Sequence, residues 1–236
     1  MRVLLLAAGR GERMRPLTDD TPKPLLEVGG RALIEHHITR LAAAGFSELV
    51  VNLSWHGEQL RARLGDGARY SVSIAYSDEG PEALETAGGI VHALPLLGDA
   101  PFAVVNSDIW TDYDFSRLAL PAGKRAHLVL VANPEHNPNG DFALAPSFAL
   151  APSGSESVIR DALNPAPRGT AFTFAGIAVY SPELFAALEP GKRPLAPLLR
   201  EAAERGEVSG ELFKGVWDDI GTPQRLEALR CRLGAD

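Results

Sequence analysis

The first segment of the chain that could do chemistry follows its first apolar run. Leu6-Ala7-Ala8-Gly9-Arg10-Gly11-Glu12-Arg13 combines small residues with two glycines and two arginines. Small residues let the backbone approach a ligand closely, and free N–H groups in such a loop can bind phosphate oxygens. Arg10 and Arg13 bring positive charge to the same place. The segment therefore predicts a site for a phosphate-bearing ligand.

Two common phosphate-binding loops do not fit this segment. It lacks the Gly-Lys-Ser/Thr ending of a Walker A loop, and Met14 stands where a dinucleotide fingerprint has Gly or Ala. A lysine follows in Pro22-Lys23-Pro24, where two prolines fix the backbone on either side. That arrangement aims a point charge, which suits a phosphate. The alternative, a glycine-rich turn with solvated arginines, does not account for the lysine.

Strands and helices alternate through the first half of the chain. The apolar patterns predict strands at 2–7, 48–53, 72–76 and 101–106, and helices at 31–44, 56–64 and 86–94. This alternation predicts a parallel sheet with helices on both faces. In such sheets ligands bind at the carboxyl ends of the strands, where the glycine-rich loop and Asn106-Ser107-Asp108 both lie.

The second half changes character and predicts an antiparallel insertion in the same domain. We expect a strand at 126–132, a turn at 133–140 and a loop at 166–170. The remaining predicted elements are short strands at 142–145, 148–150 and 157–160, a long strand at 172–180 containing Gly176, helices at 182–188 and 195–205, a strand pair or hairpin at 208–216, and a closing helix at 222–233.

Four motifs in order resemble the sugar-1-phosphate nucleotidylyltransferase family, over nearly the whole chain. They are Leu6 to Pro16 with Pro22-Lys23-Pro24-Leu25, Leu84-Glu85-Thr86-Ala87-Gly88-Gly89, Asn106-Ser107-Asp108, and Trp217-Asp218-Asp219-Ile220-Gly221-Thr222-Pro223. The resemblance implies an α/β fold, a Rossmann-like three-layer α/β/α arrangement with a mixed, mainly parallel sheet and a small antiparallel insertion. It implies one domain, 1–236, with a nucleotide-binding half, 1–110, and a sugar-binding half, 111–236, that carries the second metal aspartate.

The resemblance also implies a role for each matching residue. Asp108 and Asp219 would hold Mg²⁺, and with Arg13 and Lys23 they would be the catalytic residues. The nucleotide would contact Leu6, Ala8, Gly9, Gly11, Glu12, Arg13, Lys23, Glu85 and Gly88. The sugar would contact Asn106, Gly140 and Asp141. Three alternatives stay open: Asp108 could cap the next segment, Asp219 could merely turn the chain beside Asp218, and Asp141 could be a turn residue.

The implied reaction joins a nucleoside triphosphate to a sugar 1-phosphate and releases pyrophosphate. Its attacking phosphate oxygen is already ionised near pH 7, so no general base is needed. The sequence agrees, because it shows no obvious Ser-His-Asp or Cys-His arrangement. Positioning and charge stabilisation must then supply the rate, and Mg²⁺ between carboxylates and phosphates suits that task.

The choice of substrates rests on weaker signals. Segments 110–115 and 140–142 favour family members that use UTP and N-acetylmuramate α-1-phosphate in cell-wall (peptidoglycan) recycling. Glucose or mannose 1-phosphate with UTP, dTTP or GTP stays open, as does a non-catalytic nucleotide-sugar sensor. Where many family members carry Glu-Lys-Pro, this chain has Ile159-Arg160-Asp161-Ala162. The usual sugar-phosphate contact is therefore missing there, or Arg160 replaces it.

Composition limits the partners. The 236 residues carry a net charge of −7, which argues against a general nucleic-acid binder. No apolar run approaches the ~20 residues that span a bilayer, and no signal peptide is expected. The single cysteine fits a reducing, cytoplasmic compartment. Scattered histidines predict no zinc site. We expect a monomer or small homo-oligomer, with no nucleic-acid or membrane partner.

Overall fold

A computed structural model describes residues 1–145, 157–161 and 170–234. Its α-helices are α1 (Leu33–Ala43), α2 (Gly57–Leu64), α3 (Glu85–Leu97), α4 (Leu195–Glu204) and α5 (Pro223–Leu233). Its strands are β1 (Val3–Leu6), β2 (Glu27–Val28), β3 (Arg31–Ala32), β4 (Glu48–Leu53), β5 (Ser73–Asp78), β6 (Phe102–Asn106), β7 (Ile109–Thr111), β8 (Ala126–Val131), β9 (Phe142–Ala145), β10 (Ser157–Asp161), β11 (Thr170–Tyr180), β12 (Val208–Leu212) and β13 (Trp217–Asp219).

Nine of the described strands form one sheet in the order β5-β4-β1-β6-β11-β8-β12-β10-β9. The run β5-β4-β1-β6 is parallel throughout, and β12 pairs parallel with β8. β11 lies antiparallel between β6 and β8. The mixed, mainly parallel sheet predicted from the sequence is therefore confirmed, and the carboxyl ends of β4, β1 and β6 lie side by side.

Helices cover both faces of this sheet because successive strand residues point to opposite sides. In β1, Val3 and Leu5 pack with α1 and α2, whereas Leu4 packs with α3 and α4. A third apolar cluster joins α5 to Met14 and the β2–β3 hairpin. The predicted three-layer arrangement is confirmed, and α5 anchors the glycine-rich loop through Met14.

The predicted antiparallel insertion joins the main sheet directly. β9 pairs with both β10 and β11, and β10 pairs with β12, all antiparallel. β11 begins at Thr170, so the loop predicted for 166–170 ends there; its other residues, and the strand predicted at 148–150, lie outside the described residues.

Two predicted elements were wrong. The helix predicted at 182–188 is a single 3-10 turn, Pro182–Leu184; Pro190, two residues beyond the predicted end, disfavours helical backbone at Glu189 and limits the length available to a helix. The hairpin predicted at 208–216 is the strand β12 alone. The residues after β12 leave the sheet because Val216 binds Asp112 instead. The Asp112 N–H donates to the Val216 carbonyl (3.1 Å), and Asp112 Oδ1 accepts from the Val216 N–H (2.7 Å). β13 then pairs with β7.

Among the described residues, none of the helices has both the length and the apolar character needed to span a bilayer.

Candidate active site

Three clefts meet at Asp108. The β1 cleft is lined by Leu6 to Gly9, Asn52, Glu79, Ala83, Glu85 and Thr86 among others. The loop cleft is lined by Gly9 to Met14 with Lys23 and Gly221. The β11 cleft is lined by Arg13, Asn106, His136, Asn137, Thr173 to Gly176, Trp217 and Asp219. Asp108 borders all three clefts, so a group bound beside it can contact ligands in each.

The ends of β1 and β6 are fixed to each other beside Asp108. Leu6 lies opposite Asn106 in the parallel register. The Ser107 N–H and hydroxyl both donate to the Leu6 carbonyl, at 3.2 and 2.5 Å. The small residues after Leu6 and the carboxylate after Ser107 therefore hold a constant separation.

The glycine-rich loop turns at Gly11, whose φ of +66° favours glycine. Its carbonyl accepts from the Met14 N–H and from the Thr18 hydroxyl, both at 2.8 Å. The neighbouring Arg10 guanidinium lies 4.4 Å from the Trp55 ring centroid. Within the described part of the chain Arg13 has no ion-pair partner, and it is exposed where the loop and β11 clefts meet. Its charge is available to an anionic ligand.

Lys23 is buried, with 7% of its surface exposed, and its ammonium lies 2.6 Å from Asp108 Oδ2. It begins a 3-10 turn between Pro22 and Pro24, closed by the Leu25 N–H donating to the Pro22 carbonyl (2.8 Å). A buried ammonium needs a compensating anion. The proline-flanked turn thus delivers a cation to the point where the β1 and loop clefts join.

Asp219 reaches Asp108 through the β7–β13 pairing. Asp219 lies opposite Ile109, and the Ile220 N–H donates to the Asp108 carbonyl (2.9 Å). Asp219 Oδ2 accepts from Arg225 Nη1 (2.7 Å), and His136 Nε2 lies 3.4 Å from the same oxygen. The two predicted aspartates therefore border one cleft.

Asp218 and Asp219 make different contacts, which favours Asp219 as the metal ligand, a role that stays a prediction. The Asp218 carboxylate pairs with Arg232 on α5 and its side chain is 40% exposed, against 22% for Asp219. Only Asp219 of the two lines the β11 cleft. α5 begins directly after it, with Pro223 at the first position and the Thr222 hydroxyl accepting from the Arg225 N–H (3.4 Å). The first turn of α5 therefore places Arg225 beside Asp219.

The chemistry of Asp108 and Asp219 fits Mg²⁺. Mg²⁺ prefers carboxylate oxygens and binds through one or two of them together with waters and substrate phosphates. Asp108 and Asp219 both border the β11 cleft, and each contacts a cation, Lys23 and Arg225 respectively. A divalent ion bound there would share the carboxylates with these cations.

The nucleotidyl transferase family matches residues 2–234 of the chain. This chain belongs to that family. It is 49% identical to the N-acetylmuramate alpha-1-phosphate uridylyltransferase of Neisseria meningitidis serogroup B, over 100% of this chain and 99% of the relative. It is 36% identical to the protein of the same name from Caulobacter vibrioides, over 98% and 96% of the two chains. A UDP-glucose pyrophosphorylase complexed with UDP-glucose superposes with a TM-score of 0.74 at 19% identity, over 98% and 97%, and supports the fold.

In this nucleotidyl transferase the residues predicted beside the base separate into two groups. Glu85 lines the β1 cleft and holds a left-handed backbone (φ 60°), an unusual conformation for a residue with a Cβ. Gly88 is buried against the segment around Gly191, where an added Cβ would lie 2.2 Å from the Gly191 carbonyl oxygen. Its N–H donates to the Arg193 carbonyl (3.2 Å). Packing accounts for this glycine, and its contact with the base stays a prediction.

Of the residues predicted to contact the sugar, one borders the β11 cleft and two make packing or hydrogen-bond contacts within the protein. Asn106 borders the β11 cleft and lies against Gly176, where a Cβ would be 2.7 Å from Asn106 Nδ2. Gly140 is buried against the Phe172 backbone. The Asp141 carboxylate accepts from the Phe174 N–H (2.8 Å) and from Asn137 Nδ2 (3.1 Å). The last two support the wall of the cleft in this structure, and their contact with sugar stays a prediction.

Sequence reasoning missed residues that carry no motif. Asn52, Glu79, His136 and Arg225 all line or support the clefts of this transferase. His37, which is buried, contacts the backbone beside Asp108. Its Nε2–H donates to the Ile109 carbonyl (2.9 Å), next to Asp108, and complete burial lowers the pKa of this imidazole to about 4. The only available signal was position, since Asn52 lies near the carboxyl end of β4 and Glu79 follows β5, and both line the β1 cleft.

Proposed function

We propose that the chain transfers a uridylyl group from UTP to N-acetylmuramate α-1-phosphate, with Mg²⁺, and releases pyrophosphate. The observation that carries the reaction class is Asp108, which borders all three clefts and is paired with buried Lys23 and flanked by Asp219. The two relatives that bear the name of this activity support the choice of substrates.

The residues divide the work by position. The β1 cleft takes the nucleoside, the loop cleft the β- and γ-phosphates, and the β11 cleft the sugar. Lys23 and Arg13 place positive charge at the junction, which lowers the repulsion between two anionic substrates and stabilises charge that develops at the α-phosphorus. Asp108 and Asp219 would hold Mg²⁺, which supplies charge neutralisation of the phosphates when bound.

No residue needs to remove a proton in this mechanism. The nucleophile is an ionised phosphate oxygen of the sugar 1-phosphate, which attacks the α-phosphorus as the bond to pyrophosphate breaks. The chain contributes orientation, because the β1 and β11 clefts share Asn106 and Asp108 at their border. Holding both reactants at that border supplies the proximity that such a displacement needs.

The same proposal assigns a cellular role. The product, a uridine diphosphate sugar with a lactyl carboxylate, would serve peptidoglycan recycling, and the single cysteine of the chain fits the reducing cytoplasm as its location. The net charge of −7 gives no reason to expect a nucleic-acid partner.

Pyrophosphate release with purified protein tests the proposal. Four nucleoside triphosphates are crossed with N-acetylmuramate, glucose and mannose 1-phosphates, each with and without Mg²⁺. Release that requires UTP, the muramate compound and Mg²⁺ together is the expected result. Release with another pair would keep the reaction class and overturn the substrates, and no release with any pair would favour a nucleotide-sugar sensor.

A matched pair of variants tests the site within the same assay. Asp219→Asn removes the carboxylate that lines the β11 cleft, and we expect a loss of about 10²-fold or more in kcat. Asp218→Asn makes the same chemical change at a carboxylate that pairs with Arg232 outside that cleft. It should keep nearly full activity, and equal losses in the two variants would contradict the assignment.

A further inference from the structure

A short chain of hydrogen bonds crosses the floor of the β1 cleft. Asn52 lies at the end of β4 and is 4% exposed. Its Oδ1 accepts from the Ala7 N–H (2.6 Å), and its Nδ2 donates to Glu79 Oε1 (2.6 Å). Glu79 Oε2 then accepts from the Leu84 N–H (2.7 Å). We call these two side chains, Asn52 and Glu79, the relay.

The relay joins the two segments between which the cleft lies. Ala7 belongs to the residues after β1 that line one side, and Leu84 immediately precedes Glu85 and Thr86, which line the other. Apart from the relay, the described side chains tie the residues between β5 and α3 to the end of β4 only through the Ser54 hydroxyl, which follows β4 and donates to the Gly80 carbonyl (2.9 Å).

Both carboxylate oxygens of Glu79 accept hydrogen bonds from protein donors, so we assign this side chain a structural role. Its backbone N–H donates to the Leu53 carbonyl (2.9 Å), which fixes its position at the end of β5. Gly89 on α3 leaves the space that the carboxylate fills, since a Cβ there would lie 2.5 Å from Glu79 Oε1. The second glycine of the motif is therefore explained by the relay.

Backbone hydrogen bonds to Arg193 also fix the segment that contains Leu84. Its carbonyl accepts from the Arg193 N–H (2.9 Å), and the Arg193 carbonyl accepts from the Ala87 N–H (3.0 Å). Glu85 sits between these anchors with its left-handed backbone. The backbone on both sides of Glu85, which lines the cleft, is therefore anchored to the Arg193 segment.

We propose that Asn52 and Glu79 are positioning residues that set the separation of the two walls of the β1 cleft, and with it the affinity and base selectivity for the nucleoside triphosphate. The ligand class rests on the proposed function. The relay itself rests on the geometry of β1, β4 and the β5–α3 connection.

Swapping donor and acceptor along the relay tests this proposal. Asn52→Asp keeps the acceptor for Ala7 but places a second anion against Glu79. Glu79→Gln gives the side chain at 79 only one acceptor for two donors. The double variant restores every bond, because the introduced amide donates to the introduced carboxylate and its oxygen accepts from Leu84, with the wild-type net charge.

Each single variant should raise the KM for the preferred triphosphate about tenfold or more, the loss expected from one buried hydrogen bond. The ratio of kcat/KM between that triphosphate and the other three should fall by a similar factor, with kcat less affected. The double variant should return KM and selectivity to within about threefold of wild type. Glu82→Gln is the matched control, because Glu82 is exposed on the same connection, and it should change neither quantity.

Calorimetric titration of the triphosphate without sugar gives a readout apart from turnover, and thermal unfolding reports on folding of every variant. Rescue of binding by the double variant supports the relay. Single variants that bind as wild type, or a double variant as defective as the worse single, would overturn it. The triphosphate used is whichever one the wild type accepts, so a wrong uridylyl assignment does not affect this outcome.

Discussion

Replacing Lys23 with methionine separates the contribution of this cation to folding stability from its contribution to catalysis. Lys23 and Asp108 lie 2.6 Å apart, a separation at which unit charges attract by about 6 kcal/mol at an effective dielectric constant near 20. Asp108 is 35% exposed, so solvent screening and the desolvation of the ammonium reduce the net contribution to stability to about 1 to 2 kcal/mol. For a chain of this size the melting temperature should fall by about 2 to 8 °C.

The effect on catalysis should be larger and should have a different signature. Loss of a positive charge aimed at the reacting phosphates should lower kcat/KM by about 10²- to 10³-fold. Asp108 is at the same time released from its partner, so binding of Mn²⁺, used as a spectroscopic substitute for Mg²⁺, should tighten in the absence of nucleotide. Calorimetry, steady-state kinetics and Mn²⁺ titration measure the three quantities.

The control is Lys124→Met, which removes a lysine whose ammonium donates to the Gly206 carbonyl on another part of the molecule. It should leave kcat/KM and Mn²⁺ affinity unchanged. Wild-type kcat/KM in the Lys23→Met protein would refute the phosphate role, and weaker Mn²⁺ binding would refute the competition between the lysine and a divalent ion.

Three further predictions follow from single contacts. Arg225→Gln removes the cation that lies 2.7 Å from Asp219 and, as argued for Lys23, frees a carboxylate for a divalent ion, so the Mg²⁺ concentration needed for half-maximal activity should fall about threefold, whereas an unchanged or higher value would contradict the competition. Burial lowers the pKa of His37 from 6.5 to about 4 in the folded chain, so between these pH values the unfolded chain binds the proton and the folded chain does not. The free energy of unfolding should therefore fall by about 3 kcal/mol as the pH is lowered from 6.5 to 4. Urea titrations at several pH values should show this pH dependence in the wild type and a weaker one in His37→Gln. Gly176→Ala brings a methyl group to 2.7 Å from Asn106 Nδ2 at a backbone φ of +73°, so the KM for the sugar 1-phosphate should rise about tenfold while that for the triphosphate stays constant; equal changes in both would argue against a sugar-side position.

The parts of the site that the sequence could predict are local in the chain. The glycine-rich loop and Lys23 between its prolines have conformations set by their own residues, so their place at a strand end followed from the alternation of strands and helices. Asp219 is different. Its approach to Asp108 depends on a three-residue ladder between β7 and β13, and neither strand is long enough to be recognised from its pattern.

A glycine in a sequence can have either of two physical causes, and the sequence does not distinguish them. A backbone approached by a ligand and a backbone approached by another segment both require the absence of a Cβ. Gly88 packs on the segment at Gly191 and Gly140 on Phe172, and nothing in the local sequence distinguishes these contacts from ligand contacts. Asn52 and Glu79 went unrecognised because single polar residues at strand ends acquire meaning only when their partners in other strands are known.

The most direct test of the account is a competition in one vessel. Equal concentrations of the four nucleoside triphosphates and of N-acetylmuramate, glucose and mannose 1-phosphates are incubated with the enzyme and Mg²⁺, and the nucleotide sugars are identified by mass spectrometry. We expect UDP-N-acetylmuramate as the dominant product, and we expect it to be absent when Asp219→Asn replaces the wild type. A different dominant nucleotide sugar, or the same product from the Asp219→Asn protein at the wild-type rate, would contradict the account.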